Sequence, residues 1–133
     1  MRTDTFEGHC TGKSMQDGEP AGSDFVATRV FFFDDIFAGQ KPATGEFIQI
    51  YYGEALTPSP KPYELDVKNE VGSLIRLEYK SKDSSRIFYA EGKLTVTISE
   101  NSQKGTFDGT YFNESGKLTK FEVDFSAEES VNR

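Results

Sequence analysis

The chain is 133 residues long, holds 12 Phe and 6 Tyr but no Trp, and carries a formal net charge of -7 from 22 acidic and 15 basic residues. That length holds one core and leaves no room for a second domain, and so many aromatic rings argue against disorder. The negative charge repels phosphate polymers and anionic lipid, so neither nucleic acid nor a membrane surface is an expected partner.

The one cysteine, Cys10, excludes an internal disulfide. Met1 to Thr5 lacks the apolar stretch of a secretory signal, and no window reaches the length of a helical membrane span. A cytoplasmic location is the default expectation, with secretion the alternative if a leader has been removed.

In chain order, Thr3 to Cys10 predicts a first strand, and Gly12 to Ser23, with its Gly and Pro among small polar residues, predicts a loop. Between them, Glu7-Gly8-His9-Cys10-Thr11-Gly12-Lys13-Ser14 superficially matches a phosphate-binding loop. The spacing is one residue short, however, and the position that needs glycine holds Glu7, whose carboxylate repels phosphate. His9 and Cys10 are strand neighbours pointing to opposite faces, so they do not converge on a metal or form a nucleophile and base. With one His and one Cys, a structural zinc site is excluded, and no metal or cofactor is implied.

Asp24 to Asp34 is a longer run in which Val30-Phe31-Phe32-Phe33 is apolar on both faces. It predicts a strand at the centre of the fold, covered on both sides or bent across a barrel. Asp34-Asp35 then opens a turn and completes no calcium loop. Phe47 to Glu54 alternates with Ile48, Ile50 and Tyr52 inward. Leu56 to Pro62, with proline at every second position near its end, predicts a stiff crossover or flap at one end of the fold.

Tyr63 to Lys68 and Leu74 to Lys80 alternate again, with Tyr63, Leu65 and Val67, then Ile75, Leu77 and Tyr79, inward. Asn69-Glu70-Val71-Gly72 is expected to be the turn joining them. Arg86 to Glu91 is either a separate strand or the start of the one running to Ser99. The clearest alternation is Lys93 to Ser99, with Leu94, Val96 and Ile98 on one face. Lys104 to Phe112 and Leu118 to Ser126 complete a predicted meander through Glu100-Asn101-Ser102-Gln103 and Asn113-Glu114-Ser115-Gly116. Asn113-Glu114-Ser115 fits a glycosylation triplet but reads most simply as a hairpin turn. Ala127 to Arg133 is expected to be a polar tail or short cap.

The expected architecture is therefore all-β: a single antiparallel β-barrel or strongly bent β-sandwich of about eight strands, mostly meander. Glycines at 53, 92 and 109 suit the sharp coiling of a barrel. The last three strands resemble the meanders of lipocalin-type and related small barrels, in alternation alone.

Tyr51, Tyr52 and Glu54, with Glu78 and Tyr79 on a neighbouring strand, place phenols beside carboxylates, which suits stacking on and hydrogen bonding to a small polar ligand. The expected function is a non-enzymatic binding or interaction domain for a small apolar or sugar-like ligand. Its expected signature is a cavity at one end containing two or more of Tyr51, Tyr52, Glu54, Tyr79 and Phe33. One alternative is an acidic inhibitor or immunity-like protein that binds a basic protein partner through a contiguous negative face. The other is a barrel isomerase, cyclase or hydrolase, which needs His9 within reach of an acid lining a pocket.

Overall fold

The computed structural model describes residues 3–70, 72–82 and 84–132. Among them there is no helix. The strands are β1 (Thr3–Gln16), β2 (Glu19–Pro20), β3 (Phe25–Val26), β4 (Arg29–Phe33), β5 (Ile36–Lys41), β6 (Glu46–Tyr52), β7 (Tyr63–Val67), β8 (Ile75–Lys80), β9 (Phe88–Ile98), β10 (Ser102–Phe112) and β11 (Leu118–Asn132).

They form one antiparallel sheet in the order β2-β1-β11-β10-β9-β8-β6-β5-β4, with β3 also on β1 and β7 also on β9. The sheet curls until its ends meet. Thr11 pairs with Val26 and Gly12 with Phe25 at one edge. Two residues later, Thr28 N donates to Gln40 O at 2.9 Å, and β4 follows β5 from Arg29 onward. The run from 25 to 33 is thus the seam of a barrel-like sheet, bent across it as its apolar composition allowed, and it is not a covered central strand. Its outward ring Phe33 is 63% exposed.

Alternation decides the core. Ile48 and Ile50 of β6, Leu94, Val96 and Ile98 of β9, Phe107 of β10, and Phe121, Val123 and Phe125 of β11 are all buried, because side chains at every second position of a curled sheet face its interior. The rings of Phe37 and Phe125 lie 4.5 Å apart between centroids. Burial of each such ring stabilises the fold by about 1.5–3 kcal/mol.

Several elements differ from the sequence expectation. β1 continues through the expected loop as far as Gln16. Gly12 lies inside this strand because a Cβ there would come within 2.9 Å of Ile48 and 3.0 Å of the Phe121 ring. It is a spacer under a ring. The turn falls instead at Asp17-Gly18, both with positive φ (54° and 78°), the geometry that a tight hairpin demands. β5, with its small residues Ala38 and Gly39, alternates too weakly to stand out in the sequence.

β7 and β8 do not form a hairpin. Both pair with β9, Tyr63–Val67 against Val96–Gly92 and Leu77–Tyr79 against Ala90–Phe88, so they run one after the other along the same neighbour. The chain leaves the sheet between them, and Lys68 N rejoins Ile75 O at 3.4 Å; Val71 of the expected turn lies outside the described residues. β9 is one continuous strand, and its Gly92 faces Gly109 of β10, where a Cβ on Gly92 would meet Asp108 O at 2.3 Å. The expected C-terminal tail is strand as far as Asn132, with Ala127 against Gly8 and Ser130 against Thr5; Arg133 lies outside the described residues. Backbone pairing needs no apolar side chain, so the polar composition of this segment concealed it.

Candidate functional site

The two ends of the curled sheet differ. At one end the Tyr52 hydroxyl donates to Gln103 Oε1 at 2.7 Å, and Gln103 Nε2 donates to Phe33 O at 2.8 Å. The proline-bearing segment after β6 crosses this end: Leu56 N donates to Asp34 O and Ser59 N to Ile98 O, each at 2.9 Å. Leu56 is buried beneath it. This is the crossover expected from Leu56 to Pro62, and it plugs the end.

The opposite end is open. A recess of about 480 Å³ lies among the strand termini there. Its floor is aromatic. Tyr79 stacks on Phe121 at 4.7 Å, Tyr111 lies edge-on to Tyr79 at 5.7 Å, and Phe88 lies 5.2 Å from Tyr111. Tyr79, Phe88 and Tyr111 line the recess directly.

Polar groups stand around this floor. Ser14 Oγ and the Tyr111 hydroxyl share one hydrogen bond of 2.8 Å, and both residues are buried. Two hydroxyls sharing one bond leave one O–H free to donate elsewhere. Burial pushes the Tyr111 phenol above the usual tyrosine range, while the bond with Ser14 pulls it back. Ser84 Oγ donates to Glu114 Oε1 at 3.1 Å. Glu46, the first residue of β6, faces inward on the same side as Ile48 and Ile50, and its Oε1 accepts from Thr44 Oγ1 at 3.0 Å. Asp24, Lys41 and Lys82 complete the charged rim.

The five residues singled out from the sequence are not brought together. Tyr79 alone lines the open recess. Tyr52 points inward at the plugged end, and burial raises its phenol well above the usual range. Tyr51 lies on the outer surface, where the Arg76 guanidinium sits 4.0 Å over its ring and its hydroxyl donates to Gln49 Oε1 at 3.0 Å. Glu54 is exposed beyond β6, and Phe33 borders a separate shallow dent with Asp34 and Glu100. Tyr51 and Tyr52 are sequence neighbours, so the strand's alternation sends them to opposite faces. The residues missed were Ser14, Glu46, Ser84, Phe88, Tyr111 and Glu114. Glu46 had a legible signal, since it occupies the inward position of an otherwise apolar alternation.

His9 lies on the outer surface. Its Nδ1 is 3.2 Å from Ser126 Oγ and its Nε2 is 3.5 Å from Asp124 Oδ1. Asp124 borders a shallow outer groove of about 560 Å³ with Thr11, Lys13, Thr106 and Glu122. The connectivity resembles a nucleophile, a base and an orienting acid. The flanking backbone, however, is taken up by the β1–β11 and β10–β11 ladders, so its amides do not converge on an oxyanion. The side chains of His9 and Asp124 are also half or more exposed, which leaves the group in water. Cys10 faces the core, where burial, with a smaller contribution from the Asp124 charge, pushes its thiol up to about 12; a protonated, buried thiol is a poor nucleophile. Asn113 is a turn residue as expected: its Oδ1 accepts from Ser115 N and Lys117 N, each at 2.9 Å.

Fold and site together define a small barrel-like antiparallel β-protein, plugged at one end and open over an aromatic floor at the other. Comparison with protein-family models, with curated proteins and with solved structures finds no match to this chain.

Proposed function

We propose that this protein is a non-catalytic binding domain that takes up one small amphipathic molecule at its open end. The observation that carries this reading is the contrast between the ends: one is sealed by Tyr52, Gln103 and Leu56, and the other holds a recess of about 480 Å³ floored by Tyr79, Phe88 and Tyr111. That volume falls within the range of small-molecule sites, and a rim of Ser, Lys, Asp, Glu and Asn side chains around an aromatic floor suits a ligand with one polar and one flat apolar face. A flat apolar or sugar-like face stacks on the rings, at about 0.5–1.5 kcal/mol per aromatic pair, while Ser14 and Tyr111 offer a hydroxyl donor.

The test is an NMR titration of the full chain with benzyl alcohol and with methyl glucoside. Shift changes confined to Ser14, Tyr79, Ser84, Phe88 and Tyr111, and lost in Phe88→Ala, support the reading. Shifts scattered over the outer surface, or none at millimolar probe, defeat it.

Recognition of a basic protein through an acidic face is the second reading, and it draws on the net charge of -7. It has less support, because Lys13, Lys104 and Lys120 stand among Asp108, Glu122 and Asp124 on the outer surface, with Lys120 Nζ 3.3 Å from Glu122.

A further inference from the structure

We infer that the molecule taken up at the open end is an organic cation, a small amine attached to a ring or other apolar body. This rests on the reading of the open end as a binding site and adds the charge of its ligand. The decisive residue is Glu46. It is 7% exposed, faces inward and lines the recess. Among the described residues, Thr44 is the only one that hydrogen-bonds its carboxylate, and it does so at Oε1. Lys41 is its register partner across the β5–β6 hairpin and lines the same recess. Even so, among the described residues no lysine or arginine lies within ion-pair distance of Glu46.

A carboxylate with so little exposed surface, lining a recess floored by three aromatic rings, gains most from a compact positive charge. An ammonium supplies that charge together with hydrogen-bond donors for the second oxygen. The same rings attract it, because the negative face of an aromatic quadrupole favours cations. Phe88 already shows this behaviour within the chain, with Arg86 Cζ 5.7 Å from its centroid. Glu114, held by Ser84, and Asp24 add negative charge at the rim. Lys41 and Lys82 also line the recess, two lysines against the three carboxylates of Glu46, Glu114 and Asp24. A neutral hydroxyl would satisfy the hydrogen bond and leave the charge of Glu46 uncompensated, and an anion would face three carboxylates.

The test uses the full chain at neutral pH and three probes of nearly equal shape: benzylamine, benzyl alcohol and benzoate, followed by calorimetry and by NMR. Benzylamine is expected to bind about tenfold tighter than benzyl alcohol, with benzoate weakest. Glu46→Gln, which keeps the shape and the bond from Thr44, is expected to bring benzylamine down to the level of benzyl alcohol, the amine losing several-fold more affinity than the alcohol. Glu114→Gln, at the exposed rim, provides the same comparison should Glu46→Gln fold poorly. Equal affinity of amine and alcohol at the recess, or an amine affinity indifferent to both variants, overturns the cation and leaves the binding site standing. If none of the three probes perturbs the recess, the binding site itself falls, and the cation with it.

Discussion

Tyr52 and Gln103 are 51 residues apart in the chain and meet at the plugged end through a 2.7 Å hydrogen bond, both fully buried. Gln103 in turn holds the backbone of Phe33, so two side chains join β6, β10 and the end of β4. Tyr52→Phe keeps the ring and removes the donor, stranding Gln103 Oε1 away from water. The expected loss is about 1–3 kcal/mol, read from the shift in urea midpoint at unchanged slope. A midpoint equal to the parent's would show that the bond contributes nothing.

Alkaline pH is expected to destabilise the fold. Burial raises the Cys10 thiol from 9.0 to about 12 and also raises the Tyr52 and Tyr111 phenols. The folded chain therefore keeps these protons at pH values where the unfolded chain releases them. Their contribution is complete below the unfolded-state value and declines as pH climbs from there, by about 1.4 kcal/mol per pH unit for each group. Denaturation midpoints measured in steps from neutral to strongly alkaline pH should fall above about pH 9, and Cys10→Ala should delay the onset. A flat profile over that window would contradict the burial of the thiol.

Gly39 presses against Cys10 across the seam: a Cβ at position 39 would stand 2.6 Å from Cys10 Cβ and 2.7 Å from its Sγ. Gly39→Ala is expected to cost about 1–3 kcal/mol by overpacking. Gly22→Ala serves poorly as a control because φ there is +84°, so the comparison should be Ala55→Gly on the exposed crossover, where the expected change is under about 1 kcal/mol. Equal effects of the two substitutions would mean that the seam is looser than described.

Ser14→Ala removes the hydroxyl that lowers the Tyr111 phenol. The ionisation of Tyr111, followed by ultraviolet absorbance of the phenolate with Tyr111→Phe as reference, should move to higher pH. Movement to lower pH would mean that the pair does not share the bond seen at 2.8 Å.

Much of the sheet could be read from residue order. The inward sets Ile48, Ile50 and Tyr52, then Leu94, Val96 and Ile98, then Phe121, Val123 and Phe125, are buried as their alternation requires, since a period of two leaves a strand one way to hide its apolar side. The crossover near Leu56 was equally visible, because proline removes the amides that a ladder needs. The site was not. Ser14, Glu46, the stretch holding Ser84 and Phe88, and Tyr111 lie far apart in the chain, only Glu46 carries a local signal, and they converge only when the strands take their registers.

Local order thus determined which side of each strand is apolar, through steric and hydration preferences that act over a few residues. Long-range pairing decided the rest: that β7 and β8 follow one another along β9, that the chain's two terminal strands lie side by side, and which end stays open above Tyr79 and Tyr111. Backbone ladders form between residues far apart in the chain and carry almost no side-chain signature, so only the closed structure reveals where they put Glu46.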